Sequence, residues 1–327
     1  MKLQILVPQY KESEEVVKPL LDSIEAQQNI NKYDISVIIV NDGSEVFLSK
    51  EFLDKYTYRI DYYRHDNKGV SATRNACLDY ATADYVMFCD ADDMFFHIGG
   101  LYTVFNAIED GGFDVLNPNF MNERRNSQTG KMEFFVNPRD CTHVHGKVFR
   151  RQFLLDNNIR WDEKLTIHED GYFNTLCLRL AKSVKVVENP FYLWKWRKES
   201  ITRSRPNFFV NTYDYYISVF DALVDELVRR RRKFDAQDIA TAGLINFYFM
   251  SNSGEWEKHD SEEHRLLTEE CIRKFYCKYK DLYMSFPIEQ RNKVLFMIQK
   301  KMMKKNISVP SIPFAEWLLK LETAKLR

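Results

Sequence analysis

Residues 84–93 read Asp84-Tyr85-Val86-Met87-Phe88-Cys89-Asp90-Ala91-Asp92-Asp93. A short apolar run ends directly in three carboxylates. Clustered negative charge costs several kcal/mol (an order-of-magnitude figure) unless something positive offsets it. A divalent cation is one solution, and hard oxygen ligands suit Mg2+ or Mn2+. In an extended segment a spacing of two puts Asp90 and Asp92 on the same side. These two are the candidate metal ligands. A solvated acidic turn is the plain alternative.

Working outward, residues 3–7, 35–40 and 59–64 are further short apolar or β-branched runs. Between the first two, Val16, Val17, Leu20, Leu21 and Ile24 recur at helical spacing. Ser13 can cap that helix, with Glu14 and Glu15 in its first turn. Another helical pattern covers roughly Ser71 to Ala81. Strand–helix–strand alternation predicts an α/β domain with a mainly parallel central sheet. Such sheets bind ligands outside the carboxyl ends of their strands. The places to look therefore follow Val7, Val40 and Phe88.

Each of those places carries polar groups. After Val7 come Pro8, Gln9, Tyr10, Lys11 and Glu12. After Val40 comes the turn signal Asn41-Asp42-Gly43-Ser44. The string Asn67-Lys68-Gly69-Val70-Ser71-Ala72-Thr73-Arg74-Asn75 opens a helix with a glycine, small residues and an arginine. It suits close backbone approach and supplies a partner for carboxylate or phosphate.

Taken in order, Val7-Pro8-x-Tyr10, Val40-Asn41-Asp42-Gly43-Ser44, Asn67-x-Gly69-x-Ser71-Ala72-x-Arg74-Asn75, Asp90-Ala91-Asp92-Asp93 and His168-Glu169-Asp170 resemble an inverting family 2 glycosyltransferase of the GT-A fold. The resemblance covers about the first 205 residues. It implies a donor site of Pro8, Tyr10, Glu12, Asp42, Asn67, Gly69, Arg74, Asp90, Ala91, Asp92, Asp93, Lys195 and Arg197. Within it, Pro8, Tyr10 and Asp42 would line the nucleobase pocket, with Asp42 accepting from a uracil N–H. Arg74 would order the nucleotide and the first acidic residue. Asp90 and Asp92 would hold Mn2+ or Mg2+ at the diphosphate, and Asp93 would reach donor sugar hydroxyls. Asp170 would be the catalytic base. Adjacent helix residues diverge by about 100°, so only one of Glu169 and Asp170 should face the acceptor.

One departure stands out. Relatives often carry a histidine three residues before the serine of a Ser-x-Thr; here Ser200-Ile201-Thr202 is preceded by Arg197. Arginine stays protonated and cannot ligate a metal. Arg197 and Lys195 would instead grip the diphosphate, and metal dependence would weaken. His143 and His145 alternate in an extended segment; His145, like Glu169, is a candidate acceptor contact, with a packed structural histidine as the alternative.

From about residue 206 the pattern is helical. Phe209, Tyr213, Tyr216, Phe220, Leu223 and Leu227 form one stripe, and further helices are expected near 235–251, 261–280, 287–304 and 313–325. The expected division is a catalytic domain at 1–205 and an α-helical accessory domain at 206–327 for acceptor binding or oligomerisation. The run Arg229-Arg230-Arg231-Arg232-Lys233 reads as a solvated helix end or, with Lys300, Lys301, Lys304 and Lys305, as a polyanion track. The whole chain has 327 residues, with 47 Lys+Arg and 47 Asp+Glu. From Arg205 onward 21 basic face 17 acidic residues, so the halves carry −4 and +4. Neutrality excludes a uniformly basic surface. With 45% hydrophobic residues the chain is neither disordered nor a rod.

Six cysteines show no CxxC pair, so buried free thiols and a cytoplasmic location, at the inner membrane face for a membrane-borne acceptor, are expected. The apolar stretch at the N-terminus is too short for a signal peptide, and no transmembrane segment is expected. The expected donor is a UDP-sugar carrying a hexose or N-acetylhexosamine. The acceptor is a hydroxyl on surface polysaccharide, teichoic acid, a lipid carrier or a modified DNA base. Two rival functions remain: a nucleotidyltransferase, which the segment after Val7 ill suits because it lacks a Gly-rich basic loop, and a non-catalytic sugar-nucleotide or polymer-binding module.

Overall fold

The first strand, β1 (Leu3–Gln9), is buried almost throughout, as a strand covered on both faces must be. It is the centre of the computed structural model, which describes residues 2–200, 203, 205–304 and 306–323. Ile201, Thr202 and Lys305 lie outside the described residues. The chain divides into two compact units, Met1–Arg197 and Lys198–Arg327.

In the first unit β1 pairs in parallel with β2 (Ile35–Asp42) on one side and β4 (Tyr85–Phe88) on the other. β3 (Arg59–His65) lies parallel to β2. The remaining strands of this sheet are β6 (Val115–Pro118), β9 (Val148–Arg150) and β10 (Val184–Val187), in the order β10-β6-β9-β4-β1-β2-β3. Only β9 runs antiparallel to its neighbours. The sheet is thus mainly parallel, and the carboxyl ends of β1, β2 and β4 share one edge.

Helices α1 (Glu14–Glu25), α2 (Lys50–Leu53) and α3 (Val70–Tyr80) connect these strands. α4 (Gly100–Glu109), α5 (Arg151–Asp156) and α6 (Glu169–Leu180) follow. Val17, Leu20, Leu21 and Ile24 of α1 pack on the sheet within the main hydrophobic core. Ser13 stands at the N-cap position but its side chain makes no capping bond. Glu14 of the first turn instead accepts from the Ser49 N–H at 2.9 Å and its hydroxyl at 2.6 Å, tying α1 to α2.

A second sheet was not anticipated. Its order is β5 (Met94–Phe95), β11 (Tyr192–Trp194), β7 (Phe120–Arg125), β8 (Met132–Asn137). β5 begins directly after the acidic cluster, so β11 lies beneath it.

The second unit is helical. Its helices are α7 (Tyr213–Arg229), α8 (Lys233–Ser251), α9 (Glu262–Met284), α10 (Ile288–Lys304) and α11 (Phe314–Thr323). α8 is its core, carrying twelve buried residues, and α7, α9 and α10 pack on it. Three of the five cations in the basic run between α7 and α8 find carboxylates. Arg229 and Arg230 pair with Glu226, and Arg232 with Asp235 at 2.7 Å. Arg231 takes a left-handed φ of 58°, which ends the helix. The run stands at a helix end, as one of its two readings expects.

No helix among the described residues is long and apolar enough to cross a membrane. No disulfide joins the six cysteines, all of them described residues; Cys77, Cys89 and Cys177 are buried, while Cys141 and Cys277 are exposed.

Candidate active site

The ends of β1 and β2 are locked by buried amides. Gln9 donates from Nε2 to the carbonyls of Glu12 at 2.8 Å and Val46 at 3.0 Å, and accepts from the Tyr62 hydroxyl at 3.2 Å. Asn41 donates to the Val46 carbonyl and accepts from the Ser44 N–H at 2.7 Å. These bonds fix the chain turns that carry Tyr10, Glu12 and Asp42. Pro8 sits opposite Val40 in the sheet, and Tyr10 is exposed beside it. Gln9 was not singled out in the sequence; its place at a strand's carboxyl end was the available signal.

Asp42 is buried, and its carboxylate accepts from the Lys68 N–H at 2.8 Å and the Gly69 N–H at 3.0 Å. The Asn67 side chain donates to the Asp42 carbonyl at 3.1 Å. Asp42, Asn67 and Gly69 therefore form one unit in which β2 holds the start of α3. Gly43 permits it: with φ at +71°, a Cβ there would lie 2.3 Å from the Asn67 nitrogen. Gly69 holds φ at +87° with open space where a side chain would stand, so its role is conformational.

Arg74, one turn into α3, is the hub. Its Nη1 donates to Glu169 Oε1 at 2.7 Å and to Asp170 Oδ1 at 2.9 Å; its Nη2 donates to Asp90 Oδ1 at 2.9 Å. The guanidinium lies over the Trp161 ring, 4.5 Å from its centroid. Burial opposes its charge, but the three carboxylates outweigh that and raise its pKa. Glu169 and Asp170 do not diverge as helix geometry alone predicts. Both carboxylates reach the same nitrogen, Nη1 of Arg74.

Three carboxylates surround one guanidinium, so burial is not offset equally. Burial pushes Glu169 up to about 7, and the charge of Asp170 adds to the rise. Burial also raises Asp170, against the pull of Arg74. Asp90 falls below its usual range because Arg74 overcomes the cost of burial.

The acidic cluster divides its labour. Asp92 is paired with Arg197, Nη1 to Oδ2 at 3.0 Å, and Glu12 Oε1 lies 4.0 Å from the same nitrogen. Asp93 is fully buried: it accepts from the Tyr192 hydroxyl at 2.7 Å and from the Lys195 N–H at 2.9 Å. Asp93 is expected at donor sugar hydroxyls; here its two oxygens are engaged by groups of the protein itself. It anchors β11 and the Lys195–Arg197 segment beneath the site. Ala91 is buried between Asp90 and Asp92.

His145 is also buried, and its ring packs against those of His143 and Trp194 at centroid distances of 5.1 and 5.2 Å. Burial pushes its pKa down to about 3, so the ring is neutral. Its Nδ1 has no hydrogen-bond partner and points 3.6 Å from Asp93 Oδ2. Ligand atoms of Asp90, Asp93 and His145 lie within 4.8 Å of one another. The sequence pairs Asp90 with Asp92 for a cation; Asp90 also stands in a second group of potential ligands, with Asp93 and His145. Two carboxylates with a neutral imidazole and an unpartnered nitrogen suit a divalent ion such as Mn2+. His145 is thus at the acidic cluster.

Lys147 and Asp140 were missed. Lys147 is fully buried and donates to the His143 carbonyl, with Asp140 3.6 Å away. Asp140 in turn accepts from the His143 N–H at 2.7 Å. They fix the segment that passes Asp170, whose carboxylate also meets the Val144 N–H. Nothing in the sequence distinguished them from surface charges.

A family model described as "Glycosyl transferase family 2" matches residues 4–164. Over 260 residues the chain is 24% identical to the poly(ribitol-phosphate) beta-N-acetylglucosaminyltransferase TarS of Staphylococcus aureus, covering 76% of this chain and 44% of that protein. The chain thus spans less than half the length of this curated relative. A crystal structure of S. aureus TarS 1–349 in complex with UDP-GlcNAc matches with a TM-score of 0.66 at 18% identity, over 92% of each chain. The mannosyltransferase PcManGT of Pyrobaculum calidifontis, in complex with GDP-Man and Mn2+, matches with a TM-score of 0.50 at 13% identity, over 93% of this chain and 88% of that one. At these identities the structural likeness speaks for the fold, which is GT-A.

Proposed function

The chain belongs to glycosyl transferase family 2, and from that premise we propose that it transfers a hexose or N-acetylhexosamine from a UDP-sugar to an acceptor hydroxyl by single displacement with inversion. The observation that carries this reading is the bridge through Arg74, which joins the carboxylate after β4 to the two that open α6. A donor-side acid and a base candidate are held on one rigid guanidinium, as displacement at a single carbon requires.

Asp170 takes the proton from the attacking hydroxyl. A positioned carboxylate contributes roughly 10²–10⁴-fold to such a step. Attack on the face opposite the leaving diphosphate inverts the anomeric carbon. Pro8 and Tyr10 line the nucleobase, and Asp42 accepts from it with the lone pairs that Lys68 and Gly69 leave open. Lys195 and Arg197 face the diphosphate. Glu169 keeps its place beside Asp170 toward the acceptor. Asp90 and Asp92 would hold Mn2+ or Mg2+, which when bound supplies charge neutralisation for the leaving group, with the neutral ring of His145 close to Asp90.

The division of labour follows the chain. Residues 1–205 form the catalytic domain; 206–327 bind the acceptor or a second copy. UDP-GlcNAc bound to a structural neighbour and the poly(ribitol-phosphate) substrate in a relative's name support UDP-GlcNAc and a polyol-phosphate polymer as the first pair to assay.

The test is incubation of the purified protein with UDP-sugars, Mn2+ or Mg2+ and such polymers. Sugar transfer with an inverted anomeric configuration by NMR is the expected result. Retention at the anomeric carbon, or nucleotidyl transfer, would contradict the reading.

A further inference from the structure

Helix α10 carries five basic residues and one acidic. Val294, Ile298 and Met302 are its buried face, and it packs on α8. The other face is unusual in two independent ways.

First, it is apolar where it should be polar. Phe296, Met297 and Met303 are 58–66% exposed. Isolated exposed apolar residues are ordinary, but several on one helix face mark an interaction surface. Second, its lysines are unspent. Lys293, Lys300, Lys301 and Lys304 form no ion pair with any described residue. Several other basic residues of this unit do find carboxylates, as Lys278 does with Asp221 and Asp225 and Lys280 with Glu322.

The two sets interleave. Lys293, Phe296, Met297, Lys300 and Lys304 recur at spacings of three and four, which puts them on one side of the helix. Glu289, in the first turn, is the acidic exception. A soluble polyanion would need the lysines but has no use for Phe296 and Met297. A second copy of the chain would cover the apolar residues but would set lysine against lysine. An anionic bilayer surface uses both: the lysines meet phosphate headgroups and the apolar side chains enter the acyl boundary.

We propose that the outer face of α10 docks this protein on an anionic lipid surface. The proposal is independent of the sugar-transfer reading. Binding has no chemical step: the helix lies in the headgroup plane and buries Phe296, Met297 and Met303 while the lysine heads remain at the phosphates.

The experiment is flotation of the full chain with vesicles of phosphatidylglycerol and phosphatidylcholine in equal parts, and with phosphatidylcholine alone. The wild type should bind the anionic vesicles and not the neutral ones, and high salt should weaken binding. At roughly fivefold per charge, the Lys293→Gln/Lys300→Gln/Lys301→Gln/Lys304→Gln variant should bind about 10²–10³-fold more weakly. Phe296→Ser/Met297→Ser should lose about tenfold or more while keeping every charge. All six positions are exposed, so unchanged urea midpoints will show that both variants fold. Binding that survives both variants, or no binding to anionic vesicles, overturns the proposal. A soluble polyphosphate that binds the wild type and Phe296→Ser/Met297→Ser equally well, without vesicle binding, identifies a polymer track and overturns it. So does a dimer in sedimentation equilibrium that Phe296→Ser/Met297→Ser dissociates.

Discussion

Arg74 concentrates the electrostatics of the site in one side chain. Breaking a buried ion pair typically costs about 3–5 kcal/mol, because the surviving charges stay desolvated. Arg74→Met leaves three buried carboxylates without their cation and should lower unfolding stability by at least that amount in urea titration. A loss under about 1 kcal/mol would mean the carboxylates are solvated and the hub is not a hub. The residue was legible in the sequence as a charge partner, since it follows Gly69 at the start of a helix. Its three simultaneous partners were not, because Glu169 and Asp170 lie nearly a hundred positions away and local spacing predicted their divergence.

His145 makes a second residue-scale prediction. Its pKa is depressed by burial from 6.5 to about 3. Below about pH 6.5 the unfolded chain binds a proton that the folded chain refuses. Stability therefore falls as pH drops through the window from about 6.5 to 3, by up to roughly 1.4 kcal/mol per unit. In chelator, His145→Gln should flatten that acid limb relative to wild type. Parallel limbs between pH 7 and 5 would show that the ring is solvated. The variant should also lose any Mn2+-dependent gain in stability, since it removes the one nitrogen of the candidate donor set.

At the level of elements, the parallel sheet was legible because β1, β2 and β4 are apolar on both faces, and continuous apolar runs bounded by turn signals have few other readings. The second sheet was not, because β5 and β11 are only two and three residues long and β8 is exposed along almost its entire length. Such strands exist through their partners rather than their own pattern. The consequence reached the site itself. β11 supplies Tyr192, whose hydroxyl engages Asp93, and without it Asp93 reads as an accessible carboxylate. The turn after β2 gives the prediction for this scale. Gly43→Ala adds a Cβ that meets the Asn67 backbone at a left-handed φ, so either the turn or the 67–69 segment must shift. We expect a loss of about 1–3 kcal/mol in stability and a weaker UDP affinity by calorimetry. Wild-type values for both would mean the segment after β3 is free to give way.

For the molecule as a whole, a net charge of zero hides different treatments of charge in its two units. In the first, acidic groups are gathered around Arg74 and Arg197. In the second, helix ends are internally paired, and the surplus is displayed along α10. Both the division into an α/β part and a helical part and the five C-terminal helices followed from periodicity alone. What those helices cover did not, because exposure depends on which faces find partners. The central claim spans the molecule's chemistry: a UDP-sugar held at the strand ends and a hydroxyl activated by Asp170. It is tested most directly by Asp170→Asn, which keeps shape and a hydrogen-bond acceptor for Arg74 but removes the base. With UDP-GlcNAc, acceptor polymer and Mn2+, the account predicts a fall in kcat of at least about 10²-fold, with UDP affinity within a few-fold of wild type. Transfer at an undiminished rate would contradict it.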